Sequence, residues 1–381
     1  MSARPLVLFG SGDDDPEFRY ACGTALEQAL YLRFAPDDDV LVVPEMELGR
    51  ARGESSAVRV ISLREAGWIE RGDAGGSWID LCRRQLEARN VRSIQVSSRL
   101  QAGLYRALLE CGFDVDLGAD LFGPQRRAKS DSELELVRAA QSAAEVSCVA
   151  VIRELASAQV GEDGGLWSGG RPLTSQILMA RAQGALLELD HSCPDMIIAG
   201  SPDSALPHHR GRGQIAAGRP VVIDIFPRGA AGHYHGDLTR TVVPGPIPDE
   251  IRRWHEACVA AMEAAIATIR PGSDGRDAHR ACCRALVEHG FGTITPGLEG
   301  TGQGPVMIHS TGHGVGLEVH EAPLLRDAVY PLRRRDVVTV EPGLYQTGVG
   351  GVRVEDTGWI GDAGFTSLSN LPRSLDPRDY L

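Results

Sequence analysis

Four acidic residues interrupt apolar, strand-like runs in the second half of the chain. They are Asp224 in VVIDIF, Asp237 in YHGDLTRT, Glu341 in VVTVEPG and Glu355 in VRVEDT. A carboxylate is seldom buried without a partner, so strands that converge with such residues must also bring positive charge. One arginine could compensate one of the four. We therefore expect these strands to meet around a cation.

Histidine is concentrated in the same half of the chain. All 11 histidines lie between His191 and His320, and three of them fall in HSTGHGVGLEVHE, residues 309–321. The three glycines in this stretch each weaken a helix by about 1 kcal/mol relative to alanine, so we expect an extended segment.

Taken singly, each acidic residue is better explained as an exposed strand or turn residue. Taken together, in paired strands and beside a histidine, the four favour a metal site. An oxygen-rich set with one imidazole is typical of sites for Mn²⁺, Co²⁺ or Zn²⁺. It differs from the donor set of a closed thiolate zinc site. Two such ions, bridged by carboxylates at about 3.5 Å, would activate one water.

The overall charge argues against several classes of partner. The chain has 39 Lys plus Arg against 51 Asp plus Glu, a net charge of −12, which disfavours nucleic acid. No stretch approaches the roughly 20 apolar residues of a membrane span, and the first residues do not resemble a signal peptide. The eight cysteines form no CxxC pair and are expected to be reduced thiols. We expect a cytoplasmic protein.

The length of 381 residues predicts two domains. The first 120 residues alternate apolar runs with helix-like stretches, which predicts a small α/β domain over residues 1–125. Its expected strands are 4–10, 39–47, 59–63 and 93–98, and its clearest helix is 77–90.

After a connector near 123–132, an amphipathic helix opens the second domain, residues 126–381. Expected helices are 174–188, 249–269 and 276–289, and expected hairpins pair 219–227 with 233–243 and 336–345 with 350–360. Helices between antiparallel hairpins indicate an α+β domain.

Four motifs, in order, resemble those of the pita-bread metallopeptidases: YHGDLTRT, HSTGHGVGLEVHEAP, TVEPGLY and GGVRVEDT. This family includes Xaa-Pro dipeptidase (prolidase), aminopeptidase P, methionine aminopeptidase and the metal-free creatinase. The resemblance covers residues 130–375. It implies an α/β amino-terminal domain followed by an α+β pita-bread (creatinase/aminopeptidase-like) catalytic domain.

The resemblance implies two divalent ions per chain, Mn²⁺, Co²⁺ or Zn²⁺. Their ligands would be Asp224, Asp237, His313, Glu341 and Glu355. Asp237 and Glu355 would bridge both ions. A metal-bridging water or hydroxide would attack the scissile carbonyl, with Glu341 as the proton acceptor.

The resemblance also assigns residues around the ligands. His309 and His320 would contact the substrate and the developing oxyanion, and His208 would line the pocket for the residue after the scissile bond. Arg353, two residues before Glu355 and so on the same strand face, would contact the ligands. A loop histidine without a catalytic role remains the alternative for His208 and His309.

The implied function is hydrolysis of the Xaa-Pro bond in dipeptides or short peptides, carried out by a homodimer. Such a bond is a tertiary amide, which gives a dedicated pocket a rationale. The presence of all five ligands disfavours creatinase chemistry, and the preceding domain disfavours methionine aminopeptidase. Two alternatives stay open: an aminopeptidase P acting on longer peptides, and a non-catalytic module that binds peptides. The compact length favours the dipeptidase.

Overall fold

The structure, a computed structural model, describes residues 4–11, 15–68, 77–300 and 304–381. The chain divides into two compact units, residues 1–126 and 127–381. Within the described residues, no helix combines the length and the apolar character needed to cross a membrane.

The first unit contains one six-stranded sheet in the order β4-β3-β2-β1-β5-β6. Its strands are β1 (Leu6–Ser11), β2 (Glu27–Ala35), β3 (Asp38–Val43), β4 (Arg59–Ser62), β5 (Ser93–Ser97) and β6 (Asp114–Gly118). Its helices are α1 (Pro16–Cys22), α2 (Leu48–Glu54), α3 (Trp78–Glu87), α4 (Ala102–Glu110) and α5 (Gly123–Arg127), the last spanning the division between the units.

Alternating side chains of this sheet supply two apolar cores. Val7 and Leu32 belong to the core that also contains Leu81 of α3, whereas Leu8 and Leu41 belong to the core that contains Phe18 of α1. Helices therefore cover both faces of the sheet, and the predicted α/β class is confirmed.

The second unit has four long helices. They are α6 (Asp131–Ser157), α7 (Ser175–Leu187), α8 (Asp249–Ile266) and α9 (Gly275–Glu288). The first begins at Ser130, whose side chain accepts from the backbone N–H of Glu133 while the Glu133 side chain accepts from that of Ser130. All four include or closely match a helix expected from the sequence.

Three sheets of the second unit carry the residues of interest, in the orders β11-β12-β14, β15-β16-β20-β21 and β18-β17-β19-β22-β23. Two smaller sheets join β7-β8-β9 and β10-β13. The strands are β7 (Gln159–Val160), β8 (Leu166–Ser168), β9 (Arg171–Pro172), β10 (His191–Ser192), β11 (Ile197–Gly200), β12 (Val221–Ile225), β13 (Arg228–Gly229), β14 (Leu238–Val242), β15 (Gly292–Thr293), β16 (Val306–Met307), β17 (Gly312–Gly314), β18 (Glu321–Leu325), β19 (Val337–Val340), β20 (Gly343–Gln346), β21 (Gly350–Arg353), β22 (Asp356–Gly361) and β23 (Gly364–Ser367).

The predicted pairing of 219–227 with 233–243 is confirmed as the antiparallel pair β12 and β14, with Val221 opposite Val242. The predicted strands 336–345 and 350–360 are wrong in extent, because each divides between two sheets. The pair β19–β22 lies in the five-stranded sheet and the pair β20–β21 in the four-stranded sheet. Pro342 has no N–H to continue a ladder, so the chain leaves one sheet for the other next to Glu341.

Candidate metal centre

The five expected ligands lie within or next to strands, and the fold brings them together. Asp224 lies in β12 opposite Thr239 of β14, and Asp237 immediately precedes β14. His313 is the middle residue of β17. Glu341 follows β19, and Glu355 lies between β21 and β22. The two breaks in the predicted hairpin strands therefore place Glu341 and Glu355 where the chain passes between sheets.

The distances between these side chains are those of a compact centre. His313 Nε2 lies 3.8 Å from Asp237 Oδ2 and 3.5 Å from Glu341 Oε1. One ligand atom from each of Asp237, His313 and Glu355 lies within 4.8 Å of the other two. Asp237 and Glu355 are 3% and 2% exposed, so water contributes little to their solvation.

Arginine compensates only part of this negative charge. Arg353 Nη2 donates to Asp224 Oδ2 at 2.5 Å, but Asp224 Oδ1 is buried and has no hydrogen-bond partner. Among the described residues, none donates a hydrogen bond to the Asp237 carboxylate. Buried carboxylate oxygens left without donors fit divalent cations, for which carboxylate and imidazole are suitable ligands.

The pKa values respond to the same burial. Burial, and then the charges of Glu355 and Asp224, raise the pKa of Asp237 well above its ordinary value. Burial raises the pKa of Glu341 to about 8. Burial lowers the pKa of His313 to about 3, which keeps the imidazole neutral, as a metal ligand must be. Without a cation, the raised pKa values favour the protonated forms of Asp237 and Glu341, and a divalent ion would displace these protons.

A chain of hydrogen bonds links Arg353 to the ligands. Its Nε donates to Thr239 Oγ1 at 3.2 Å, and the Thr239 hydroxyl donates to Glu355 Oε2 at 2.7 Å. Its Nη1 donates to the Tyr345 hydroxyl oxygen at 2.9 Å. Neither Thr239 nor Tyr345 was predicted from the sequence to take part in the site. The available signal for Thr239 was its position two residues after Asp237, on the same strand face.

Tyr345 also fixes the state of His309. His309 Nδ1 lies 2.7 Å from the Ser310 carbonyl oxygen, which can only accept, so Nδ1 carries the proton. Burial lowers the pKa of His309 to about 4, so the imidazole is neutral and its Nε2 can only accept. The Tyr345 hydroxyl, which accepts from Arg353, therefore donates to Nε2 at 2.9 Å. Both ring nitrogens of His309 are engaged within the protein. Contact of either nitrogen with a peptide requires one of these bonds to break.

Two exposed histidines complete the set. The rings of His313 and His320 meet edge-on with their centroids 4.3 Å apart. His208 is exposed, and its charge contributes to the lowered pKa of His309, after burial and Arg353. The structure thus brings every residue singled out for chemistry from the sequence to one site, while their individual roles remain predictions.

The chain is similar to known proteins over nearly its whole length. A model of metallopeptidase family M24 matches residues 135–362. The Xaa-Pro dipeptidase of Pyrococcus furiosus is 31% identical over 93% of the chain and 91% of that protein. The Xaa-Pro dipeptidase of Pyrococcus horikoshii is 28% identical over 95% of the chain and 92% of that protein.

Solved structures give the same fold. A prolidase from Pyrococcus horikoshii has a TM-score of 0.79 at 25% identity, with coverage of 98% of this chain and 96% of that one. An X-Pro aminopeptidase from Thermotoga maritima has a TM-score of 0.81 at 22% identity, with coverage of 97% and 96%. The expected pita-bread fold, preceded by an amino-terminal α/β domain, is thereby confirmed. The chain belongs to metallopeptidase family M24, on the branch that includes the prolidases and X-Pro aminopeptidases.

Proposed function

We propose that this metallopeptidase hydrolyses the bond between a first residue and proline in dipeptides and short peptides. The observation that carries the proposal is the convergence of four carboxylates with the neutral imidazole of His313. Among the described residues, Arg353 is the one arginine that forms an ion pair with any of these carboxylates. The ligands we propose for two divalent ions, Mn²⁺, Co²⁺ or Zn²⁺, are Asp224, Asp237, His313, Glu341 and Glu355. Relatives named Xaa-Pro dipeptidase, matched over nine-tenths of both chains, support the choice of substrate.

When bound, the two ions would polarise the scissile carbonyl and lower the pKa of an attacking water. The protein's own part is to hold, orient and move protons. Glu341, whose carboxylate faces His313 at 3.5 Å, is positioned to accept a proton from the water and pass it to the leaving proline nitrogen. Arg353 neutralises Asp224, and Thr239 donates to Glu355, so neither carboxylate turns away from the centre.

The exposed histidines are the groups available to a peptide. His320 lies beside His313 at the solvent side of the centre and can donate to a carbonyl oxygen as negative charge develops there. We assign His208 to the proline side of the scissile bond. His309 supports the site through Tyr345, and it contacts a peptide only if its hydrogen bond to Tyr345 or to the Ser310 carbonyl opens.

A peptide panel tests the proposal. Purified protein is supplied with Mn²⁺, Co²⁺ or Zn²⁺ and incubated with Ala-Pro, Gly-Pro, Ala-Ala and a longer Xaa-Pro peptide. We expect Ala-Pro and Gly-Pro to be cleaved and Ala-Ala to be cleaved poorly, because proline fills the dedicated pocket. No cleavage of any Xaa-Pro bond with any of the three ions would refute the proposal.

The same panel separates the two peptidase candidates. Faster cleavage of the dipeptides indicates a dipeptidase, whereas preference for the longer peptide indicates an aminopeptidase P. Tight binding of Xaa-Pro peptides without turnover would favour the non-catalytic module.

We further propose a cytoplasmic homodimer. The eight cysteines form no disulfide in the structure, and seven of them are buried, which suits a reducing compartment. Light scattering of the purified protein measures the oligomeric state, and a monomer at micromolar concentration would exclude the dimer.

A further inference from the structure

Gln141 is a fully buried polar residue near the middle of α6, and its amide contacts the backbone of Asp237. Its Oε1 accepts from the Asp237 N–H at 2.8 Å, and its Nε2 donates to the Asp237 carbonyl oxygen at 3.0 Å. The same Nε2 donates to Ser369 Oγ at 2.8 Å. Both N–H groups and the carbonyl of the amide are therefore used, so its burial is compensated.

These bonds replace those of a neighbouring strand. Asp237 precedes β14, where a paired strand would meet its N–H and carbonyl groups in a ladder. A single glutamine side chain from a helix meets both groups instead. The Thr357 hydroxyl adds a second donor to the Asp237 carbonyl at 2.8 Å.

The Asp237 carboxylate has no comparable support. None of the described residues donates a hydrogen bond to it, and His313 Nε2, 3.8 Å from Oδ2, lies beyond hydrogen-bonding distance. Its direction in the metal-free protein is consequently set by the backbone to which it is attached. The backbone in turn is held by Gln141.

Gly236 allows the helix and this segment to approach each other. A Cβ on Gly236 would lie 2.6 Å from the backbone carbon of Ala140 and 2.6 Å from the backbone nitrogen of Gln141. Real Cβ atoms do not come so close to backbone atoms. The segment that carries Asp237 is thus pressed against the turn of α6 that carries Gln141.

We propose that Gln141 is a positioning residue of the metal centre, which orients Asp237 by binding both polar groups of its backbone. The inference rests on the proposed role of Asp237 as a ligand. Gln141 itself touches neither metal nor peptide, and it acts by keeping Asp237 directed at His313 and Glu355 before an ion arrives. The benefit is preorganisation, since a ligand already in place loses little freedom when the ion binds.

Three variants test the proposal. Gln141→Met keeps the shape and removes both bonds to Asp237, whereas Gln141→Glu keeps the acceptor for the Asp237 N–H. Ser147→Ala is the matched control, because Ser147 lies on the same helix, is equally buried and donates to the Ala182 carbonyl instead. Calorimetry measures the Kd for Mn²⁺ after all other metal is removed. Hydrogen exchange of the Asp237 amide is followed in the metal-free proteins.

We expect Gln141→Met to raise the Kd for Mn²⁺ by about 10-fold to 100-fold, the range seen when a group supporting a ligand is lost. Gln141→Glu should fall between it and the wild type, and Ser147→Ala should stay within about twofold of the wild type. The Asp237 amide should exchange faster in Gln141→Met only. If Gln141→Met does not fold, the Kd of Gln141→Glu decides, because this variant loses the amide donor to the Asp237 carbonyl, and a wild-type Kd would then overturn the proposal.

Wild-type Mn²⁺ affinity in both Gln141 variants, or an equal loss in Ser147→Ala, would overturn the proposal. Neither measurement requires turnover. A failure to cleave Xaa-Pro peptides would therefore leave this test intact, and failure here would leave the peptide assay intact.

Discussion

Asp224 shows at the scale of one residue why the centre needs a cation. One of its carboxylate oxygens accepts from Arg353, and the other is buried without a hydrogen-bond partner. Asp237 and Glu355 are buried beside it, and the charge of Glu355 raises the pKa of Asp237 further. Protons are the alternative means of compensation when no metal is present. Metal binding and proton release should therefore be linked.

Glu341 makes its own contribution to the pH dependence of the metal-free protein. Its pKa is raised from 4.5 to about 8 by burial, so between these values the folded protein binds a proton that the unfolded chain lacks. Its contribution to stability is complete below about pH 4.5 and is lost as the pH rises towards 8. We expect the urea midpoint of the metal-free wild type, relative to that of metal-free Glu341→Gln, to fall between pH 5 and pH 8. A constant difference between the two midpoints over this range would contradict the account.

We expect Tyr345 to contribute to activity through its hydroxyl and not through its ring. Tyr345→Phe leaves the ring but removes the donor to His309 Nε2 and the acceptor for Arg353 Nη1. We expect kcat/KM for Ala-Pro to fall about tenfold, equivalent to about 1.4 kcal/mol, since both partners lose their orientation. Tyr380→Phe is the control, because Tyr380 is also buried but bonds only to the backbone of Ser374. An equal effect of the two changes would show that the Tyr345 bridge has no special role.

At the scale of elements, the sequence predicted those strands whose apolar runs are bounded by polar residues. Two strands of the first unit escaped prediction. In β2 the run EQALYL is rich in helix-forming Glu, Gln, Ala and Leu, and tertiary pairing overrides that preference. The edge strand β6 carries Asp114 and Asp116, so it lacks an apolar signature.

The residues of the candidate site that lie in short sequence motifs were predictable from the sequence. Asp237, His313 and Glu355 each belong to a short local pattern, and the ordered set identified the fold. Gln141 belongs to no such pattern, and its partner Asp237 lies 96 residues further along the chain. Helix periodicity indicates that such a residue faces inward, but it does not indicate which backbone group it meets.

The glycines of β17 give a prediction about close packing of strands. A Cβ on Gly312 would lie 2.1 Å from the Thr339 carbonyl oxygen, so Gly312→Ala must displace β17 and with it His313. We expect a loss of about 1–3 kcal/mol in the free energy of unfolding, together with weaker metal binding. Gly184→Ala is the control, because Gly184 lies in α7 with nothing near its Cβ position. Unchanged unfolding of Gly312→Ala would show that the strands can separate without strain.

At the scale of the whole molecule, the net charge of −12 is consistent with a protein that binds cations. The second unit places several buried carboxylates at a single site. Without bound cations, carboxylates buried together in this way are compensated by protonation. The Xaa-Pro dipeptidase of Pyrococcus furiosus matches 93% of the chain, so the similarity includes both units. We therefore propose that cleavage requires two divalent ions.

Metal content and turnover measured on the same samples test this claim most directly. The wild type, Asp237→Ala and the surface control Asp327→Asn are dialysed against Mn²⁺ buffer, and a further wild-type sample is dialysed against a chelator. Each is assayed by elemental analysis and with Ala-Pro. We predict about two ions per chain and full activity for the wild type and the control. Asp237→Ala should lose both metal and turnover. Full Ala-Pro turnover by metal-free wild-type protein, or by Asp237→Ala without bound ions, would contradict the account.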